Sequence, residues 1–357
     1  MAYTDIDKPS DYFETVTYAG GTTDISSLDF QPDWVWGKKR DGAENHALFD
    51  SVRGATKTLN SNTSAVESTR GGSLTSFDSD GFTMGGSDGI ISNSGSIYVA
   101  WNWVAGTSFT NDASSTGIGS LDSSGTVNDT AGFAIVKYTG NGTSGATIKH
   151  GLSTAPTFMM IRVYDAAAGF QVYSRAIGAT KFVYLNTTEA AGTAAGPWND
   201  TAPTSSIFTV GNGGNTNNTE NAGLHIAYIF SERQGYSKFG SYTGNGNADG
   251  PFVYTGFKPA WTLIKRTDSA TGGSWILFDN KRGANVINPV DVVMAASNNQ
   301  AESDWGTTYD CDYLSNGFKW RYNGTGGYNN ADGGTYIYMA FAENPFVTST
   351  GVPATAR

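Results

Sequence analysis

The sequence predicts an all-β protein of three tandem, related modules, each an antiparallel β-sandwich or jelly roll. The first observation is a set of sequence blocks that recurs three times in one order. The second is the composition, because 46 of the 357 residues are glycine, 13% are aromatic and only 15% are charged. The third is that apolar residues alternate in short runs between turn residues, without helical periodicity. Many short strands punctuated in this way favour antiparallel sheets packed face to face.

Five sequence blocks carry the repetition. Each copy opens with a tyrosine two residues before a glycine and continues with a proline that precedes an apolar strand. The copies of each block, in chain order, are Tyr18-Ala-Gly20, Tyr138-Thr-Gly140 and Tyr242-Thr-Gly244; Pro32 to Trp36, Pro156 to Met160 and Pro259 to Leu263; Phe49 to Gly54, Tyr173 to Gly178 and Phe278 to Gly283; Phe82-Thr-Met84, Phe208-Thr-Val210 and Phe318-Lys-Trp320; and Tyr98-Val-Ala100, His225-Ile-Ala227 and Tyr338-Met-Ala340.

The spacing of the copies indicates domains rather than a solenoid. Tyr18, Tyr138 and Tyr242 lie roughly a hundred residues apart, well beyond the roughly 20 to 50 residues of solenoid or propeller units. Each copy is long enough to have its own core. The predicted organisation is an N-terminal docking arm over 1–13, modules over 14–106, 131–234 and 235–357, the last with a C-terminal tail, and a Gly/Ser/Thr-rich linker or long hairpin over 107–130.

Charge and cysteine usage argue against several classes of function. The net charge of −10 predicts no nucleic-acid partner, because a phosphate backbone would be repelled. The single cysteine, Cys311, excludes an intrachain disulfide, so stability must come from packing or subunit association. The N-terminal residues lack the features of a signal peptide, and no apolar segment is long enough for membrane insertion. We therefore expect a soluble protein made in the cytoplasm.

Motifs that could carry enzyme chemistry have simpler structural interpretations. The segment Gly140 to Gly145 formally matches the dinucleotide fingerprint, but a strand is predicted after it instead of the required helix, so we expect a hairpin turn. Asp78 and Asp80 suit a calcium loop, but the other copies lack these charges and a turn is favoured. We therefore predict no enzyme, no cofactor and no metal site.

Histidine and cysteine chemistry is also disfavoured. The histidines are too few and too scattered for a catalytic triad or a zinc site: His46, His150 and His225. His225 aligns with Tyr98 and Tyr338, which indicates a packing role. Cys311 lies between two aspartates that would raise the pKa of a thiol. Glycan cleavage needs only two suitably spaced carboxylates, so a depolymerase is a further hypothesis.

Aromatic residues divide into two groups. Tryptophans in the repeated blocks replace other large apolar residues and are assigned to cores: Trp34, Trp36, Trp101, Trp261 and Trp320. Trp198, Trp305 and Tyr328 lie instead among Gly, Asn, Asp and Thr in connecting segments. An exposed ring there could stack on a sugar or anchor a protein partner, so these three are the candidate ligand-binding residues. The alternative is that each ring packs on the edge of its own module.

A set of longer motifs closely resembles a family of repeat-bearing structural proteins of tailed bacteriophages, common in marine phages and cyanophages. The matching segments cover nearly the whole chain: Pro32 to Trp36, Leu48 to Ala55, Asp78 to Thr83, Ile97 to Trp103, Tyr242 to Trp261 and Tyr338 to Phe346. The resemblance implies laminin-G-like or lectin-like (concanavalin-like) sandwiches and a place in the virion, often described as a tail fibre. It implies no catalytic motif.

Two functions follow from this resemblance and from the tandem β modules. The first is a tail-fibre or appendage adhesin that recognises a host-surface glycan or protein, as a homotrimer among other virion proteins. The alternative is an architectural component, such as a capsid decoration, head fibre or tail connector, without receptor binding. In that case the arm, with Pro9, Tyr12 and Phe13, would become ordered only against a virion partner.

Overall fold

A computed structural model of the chain describes residues 2–283, 288–304, 309–323 and 326–354. The described residues are nearly all β, with one short helix α1 (Ala113–Thr116) and a 3-10 turn over Pro9–Asp11. The ladders of the main sheets are antiparallel. The predicted all-β class is therefore confirmed. Within this part of the chain, no helix has the length and apolar character needed to cross a membrane.

The first repeat contains a larger and a smaller sheet. Its strands are β1 (Phe13–Ala19), β2 (Asp24–Ile25), β3 (Trp34–Lys39), β4 (Ala47–Asp50), β5 (Lys57–Thr58), β6 (Ser68–Thr69), β7 (Leu74–Asp78), β8 (Gly81–Met84) and β9 (Ile97–Trp103). The larger sheet has the order β1-β9-β3-β4 and the smaller one β2-β8-β7, while β5 and β6 form a separate pair.

The second repeat has the widest sheet. The strands from residue 107 onward are β10 (Thr107–Asn111), β11 (Ser123–Asn128), β12 (Phe133–Thr139), β13 (Ala146–Lys149), β14 (Phe158–Val163), β15 (Gln171–Ser174), β16 (Lys181–Tyr184), β17 (Gly192–Thr193), β18 (Ile207–Val210) and β19 (Leu224–Phe230). The large sheet has the order β10-β11-β12-β19-β14-β15-β16-β17, and β13 pairs with β18. Residues 107–130 thus contribute the hairpin β10–β11 to the edge of this sheet.

The third repeat shares this organisation. Its strands are β20 (Ser237–Thr243), β21 (Phe252–Tyr254), β22 (Phe257–Arg266), β23 (Ile276–Asp279), β24 (Val292–Ala295), β25 (Ser303–Asp304), β26 (Cys311–Leu314), β27 (Gly317–Trp320) and β28 (Thr335–Pro345). The orders are β20-β28-β22-β23-β24-β25 and β21-β27-β26. The four-strand orders β1-β9-β3-β4, β12-β19-β14-β15 and β20-β28-β22-β23 are equivalent, so the sequence repeat is also a repeat of strand pairing.

Each large sheet buries both faces. One face shares a hydrophobic cluster with the small sheet of the same repeat, as Phe49 does with Phe82. The opposite faces of all three large sheets contribute to a single central cluster. In that cluster Trp34 stacks on Tyr228 of the second repeat, with ring centroids 4.6 Å apart. The tryptophans assigned to cores from the sequence are all fully buried: Trp34, Trp36, Trp101, Trp261 and Trp320.

Equivalent backbone hydrogen bonds connect the repeats in a ring. In each, an amide of one repeat donates to the carbonyl at the end of the strand equivalent to β3 in the next repeat. The bonds run from Glu67 to Tyr164, from Ala191 to Thr267 and from Glu302 to Arg40, over 2.8, 2.8 and 2.9 Å. The third bond returns from the last repeat to the first. The described residues therefore form a closed ring of three repeats with approximate threefold symmetry.

The repeated tyrosine explains the first and last sequence blocks together. Tyr18, Tyr138 and Tyr242 stack on the residues opposite them in the sheet, which are Tyr98, His225 and Tyr336, at interplanar angles of 17°, 9° and 10°. His225 is thus equivalent to Tyr336, and its sequence alignment with Tyr338 was wrong by two residues. A shift of two residues keeps every side chain on the same face, so alternation alone does not detect the error.

A buried ion pair lies at the boundary between the first and second repeats. Arg53 Nε is 2.6 Å from Asp50 Oδ2, and both side chains are almost completely buried. The same carboxylate oxygen accepts a hydrogen bond from the Tyr228 hydroxyl of the second repeat at 2.8 Å. The ion pair therefore links the repeats as well as bracing its own turn.

The same arrangement closes the ring between the third and first repeats. Asp279 pairs with Arg282 at 2.6 Å and accepts a hydrogen bond from the Trp101 indole at 2.9 Å. At the boundary of the second and third repeats, the equivalent positions carry no charge: Ser174, Ile177 and Met339. These two repeats are also joined by a short connection, from the end of β19 at Phe230 to the start of β20 at Ser237.

Breaking one buried pair tests this account of the boundaries. Asp50→Ser removes the fully buried partner of Arg53 and leaves it paired only with the more exposed Glu67 at 3.0 Å, so we expect a loss of about 2 kcal/mol or more of the free energy of unfolding. The double variant Asp50→Ser/Arg53→Ile, which copies the second repeat, should lose clearly less because the buried guanidinium is removed together with its carboxylate. Urea unfolding at pH 7 measures both values. Equal losses for the single and double variants would contradict the role assigned to the pair.

Candidate functional site

Trp198 is not an exposed ring. Only 1% of the residue is accessible, and its indole N–H donates to the Lys181 carbonyl at 3.1 Å. Its ring also meets the edge of Tyr173 at a centroid distance of 5.7 Å. The expected availability for stacking on a ligand is therefore wrong, because this glycine-rich segment folds back onto the hydrophobic core of the second repeat.

The other two candidate rings have different outcomes. Trp305 lies outside the described residues. Tyr328 is partly buried against the core of the third repeat and meets the edge of Tyr309 at 5.7 Å. The structure therefore does not bring Trp198 and Tyr328 together into one surface.

The N-terminal segment is not a free arm. Pro9 begins the 3-10 turn and is buried, and Tyr12 packs against the central cluster. Phe13 is the first residue of β1 and stacks on Phe341 of the third repeat, with centroids 5.1 Å apart. The expectation that Pro9, Tyr12 and Phe13 become ordered only on a partner is wrong, because apolar side chains at the start of a strand are used in the chain's own core.

The two motif segments are both connections between strands. Gly140 to Gly145 joins β12 to β13, which belong to different sheets, so the expected hairpin is also wrong. The buried Asn217 side chain holds this loop, since its Oδ1 accepts hydrogen bonds from the amides of Asn141 and Gly142. Asp78 and Asp80 lie at the tight turn from β7 to β8. Among the described residues, no three His, Cys, Asp or Glu side chains lie close enough together to hold a metal ion.

All three histidines are buried and bonded to backbone. Burial lowers the pKa of His150 and of His225 to about 4, and it lowers the pKa of His46 well below the ordinary value. His225 Nε2 accepts a hydrogen bond from the Asn218 amide at 3.1 Å. Burial likewise raises the pKa of the Cys311 thiol. These groups are held in uncharged forms in the interior, as packing residues are.

Sequence reasoning missed three buried cations. Lys38, Arg162 and Lys265 occupy equivalent positions on the core-facing side of β3, β14 and β22, and all are completely buried. Their charged groups donate to backbone carbonyls, as Lys38 does to Lys39 at 2.7 Å and Arg162 to Ala65 at 2.5 Å. Desolvation lowers the pKa of both lysines to about 8 and that of Arg162 to about 10. Their spacing, four residues after the first aromatic residue of each proline block, was the available signal.

The segment that does not repeat builds a groove. Thr110, Ser124 and Lys137 lie directly opposite one another on β10, β11 and β12. Together with Tyr164 and Leu224 they line a cavity of about 450 Å³. We name this cavity the hairpin groove, because without the hairpin β10–β11 its outer wall would be absent.

The walls of the hairpin groove are polar and braced. Asp112 accepts a hydrogen bond from the Ser115 amide at 3.0 Å, and Asp122 accepts one from the Ala113 amide at 2.8 Å. Hydrogen bonds lower the pKa of Asp112 below its ordinary value, and the bond from the Ser114 hydroxyl contributes most. The Asp112 side of the groove is therefore anionic at neutral pH. Hydroxyl, carboxylate and ammonium groups thus surround one concave space, which suits a ligand rich in hydroxyl groups.

Comparison with known proteins gives a family. No curated protein and no solved structure matches the chain. A family model described as a domain of unknown function, DUF7483, matches residues 8–345. The chain belongs to the DUF7483 family. The DUF7483 model spans all three repeats, in agreement with a ring in which the repeats share one central cluster.

The histidines predict a loss of stability in acid. Their pKa values are lower in the folded chain than in the unfolded one, so the unfolded chain binds more protons as the pH falls from about 6.5 towards 4. Each histidine should then reduce the free energy of unfolding by up to about 1.4 kcal/mol per pH unit. His225→Tyr, which places there the residue of the other two repeats, should remove one such contribution. Urea unfolding at pH 7, 5.5 and 4.5 measures the slope, and an unchanged slope in the variant would refute the assignment.

Proposed function

We propose that this chain is a non-enzymatic structural protein of a tailed-phage virion that binds a host-surface glycan or protein as part of a tail fibre or related appendage. The observation that carries the proposal is the hairpin groove, built by the segment that the repeats do not share. The sequence resemblance to phage structural proteins supports the virion context. Other virion proteins would be its permanent partners.

The chemistry of the groove favours a glycan over a folded protein. Thr110, Ser124 and Lys137 present hydroxyl and ammonium groups in a row, which can donate to and accept from sugar hydroxyls. Tyr164 adds an aromatic residue to the lining of the groove. A space of about 450 Å³ fits a small part of a glycan, whereas a stable protein interface needs roughly 20 to 30 residues on each side.

The proposal includes the finer architecture. Each repeat would be an antiparallel sandwich of the jelly-roll or laminin-G/concanavalin type, with the large and small sheets as its layers. Two shared clusters support this, since Ile161 packs with Phe208 in the second repeat and Ile264 with Phe318 in the third. A homotrimer remains a prediction. Within a single chain, three related repeats already surround a common core.

The approximate threefold symmetry favours a second candidate function. A ring of three similar repeats matches a position on a threefold axis of a particle, as a capsid decoration, head fibre or tail connector would require. The N-terminal arm no longer supports this alternative, because Phe13 belongs to the core. Gold-labelled antibodies on intact virions distinguish the functions: label at fibre tips favours adhesion, and label on the head or tail tube favours the architectural role.

Blocking the groove tests the adhesin function. Ser124→Phe fills the groove, and Lys137→Ala removes its ammonium group, so each should weaken binding to host cells by about tenfold or more. Lys181→Ala is the matched control, since Lys181 is an exposed lysine on another strand of the same sheet. Binding of fluorescently labelled protein to host cells and to their extracted envelope polysaccharide gives the measurement.

Each result has a defined meaning. Normal binding by Ser124→Phe would remove the groove as the receptor site. Absence of binding by the unmodified protein would remove the adhesin function and leave the architectural one. Shortened polysaccharide products after incubation would instead identify a depolymerase.

A further inference from the structure

Two aromatic side chains of the third repeat are exposed. Phe252 and Tyr254 on β21 are 44% and 55% accessible, whereas Val253 between them is buried. Residues two apart on a strand point to the same face, so both rings project from the outer face of the small sheet. Exposure of large rings at successive outward positions costs solubility and contributes nothing to a core.

Comparison of the copies shows that the fold does not require these rings. Strand pairing aligns Val253 with Ile148 and Ile25, because each lies opposite the phenylalanine of the fourth sequence block. The outward neighbours are then aromatic only in the third repeat. The equivalent residues are polar elsewhere: Asp24 and Ser26 in the first repeat, and Thr147 and Lys149 in the second.

The N-terminal segment supports one end of this surface. The Tyr3 hydroxyl donates to the Gly256 carbonyl at 2.7 Å and lies 3.4 Å from the Tyr254 hydroxyl. A third aromatic residue, Tyr3, is therefore held next to Tyr254. We name Phe252, Tyr254 and Tyr3 the aromatic strip.

Charged pairs flank the aromatic strip. Lys319 lies directly opposite Phe252 and pairs with Asp249 at 2.6 Å. The next strand places Asp312 opposite Lys319, where it pairs with Arg321 at 2.5 Å. The outer face thus combines flat apolar rings with donors and acceptors at their edge.

We propose that the aromatic strip binds a glycan, with Phe252 and Tyr254 stacked on the apolar faces of sugar rings and the charged pairs bonded to sugar hydroxyls. A sugar ring has one apolar C–H face and a polar edge, which this surface complements. Two exposed rings are too few for a stable protein interface. The choice of ligand class rests on the proposed adhesin function, but the site is separate from the hairpin groove.

Oligosaccharide titration tests the aromatic strip. The probes are cellohexaose, laminarihexaose and mannohexaose, followed by calorimetry and ligand-observed NMR. We expect at least one of them to bind, and Phe252→Ser and Tyr254→Ser each to weaken that binding by about tenfold or more. Val66→Ser and Ile97→Ser are matched controls, because these apolar side chains are 47% and 41% exposed elsewhere on the surface, and they should bind normally.

Three results would overturn the inference. They are absence of binding to all three probes, equal binding by all four variants, and self-association in sedimentation velocity that Phe252→Ser/Tyr254→Ser abolishes. The last result would assign the strip to a second copy of this chain. Binding to host cells is measured in parallel, so failure of the strip with normal cell binding is distinguishable from failure of the adhesin function. All variants are exposed-site changes, and thermal unfolding checks that they fold.

Discussion

The central cluster is the constraint on which the rest of the structure depends. Each large sheet must bury two faces, one against its own small sheet and one against the other repeats. Burial on both sides explains why β3 begins with the uninterrupted apolar run Trp34 to Trp36 and β14 with Phe158 to Ile161. It also explains why aromatic rings dominate this core, since large rings can fill the space where three sheets meet. A repeat that separated from the ring would expose to water the face of its large sheet that contributes to the central cluster.

Burial of the large aromatic side chains holds the three repeats together but does not select one relative position of the repeats. The polar contacts between repeats select that position. The buried carboxylates of Asp50 and Asp279 each accept a hydrogen bond from the adjacent repeat, Asp50 from the Tyr228 hydroxyl and Asp279 from the Trp101 indole. A misplaced repeat would break these two hydrogen bonds between buried groups, which costs about 1 to 3 kcal/mol for each one lost. The backbone bonds at the ends of the strands add a second condition, because each joins fixed residues of neighbouring repeats. The hydrophobic cluster therefore holds the repeats together, and the hydrogen bonds between repeats fix their relative positions.

The ring covers most of both faces of its large sheets, and the two proposed binding surfaces lie where that cover ends. The hairpin β10–β11 extends one sheet beyond the ring, and the outer face of β21 is a layer that no other repeat covers. The other copies lack the hairpin, and the strands equivalent to β21 carry no outward aromatic rings. Residues shared by all copies, such as the stacked Tyr18, Tyr138 and Tyr242, maintain the fold, and exposed residues particular to one copy are available for recognition.

The sequence by itself determined the all-β class, the repeated strands and the burial of the tryptophans in the shared blocks, because alternation and repetition report which face of a strand is apolar. Only the tertiary structure decided what covers each face. The composition around Trp198 suggested an exposed loop, yet this loop packs on a hydrophobic core. Conversely, Phe252 and Tyr254 lie in an ordinary strand pattern, yet their side chains are exposed. The ring, the buried Lys38 and the two-residue shift at Tyr336 depend on contacts between distant segments. The local sequence pattern does not encode those contacts. It shows which residues share one face of a strand, but it does not show whether water or another sheet covers that face.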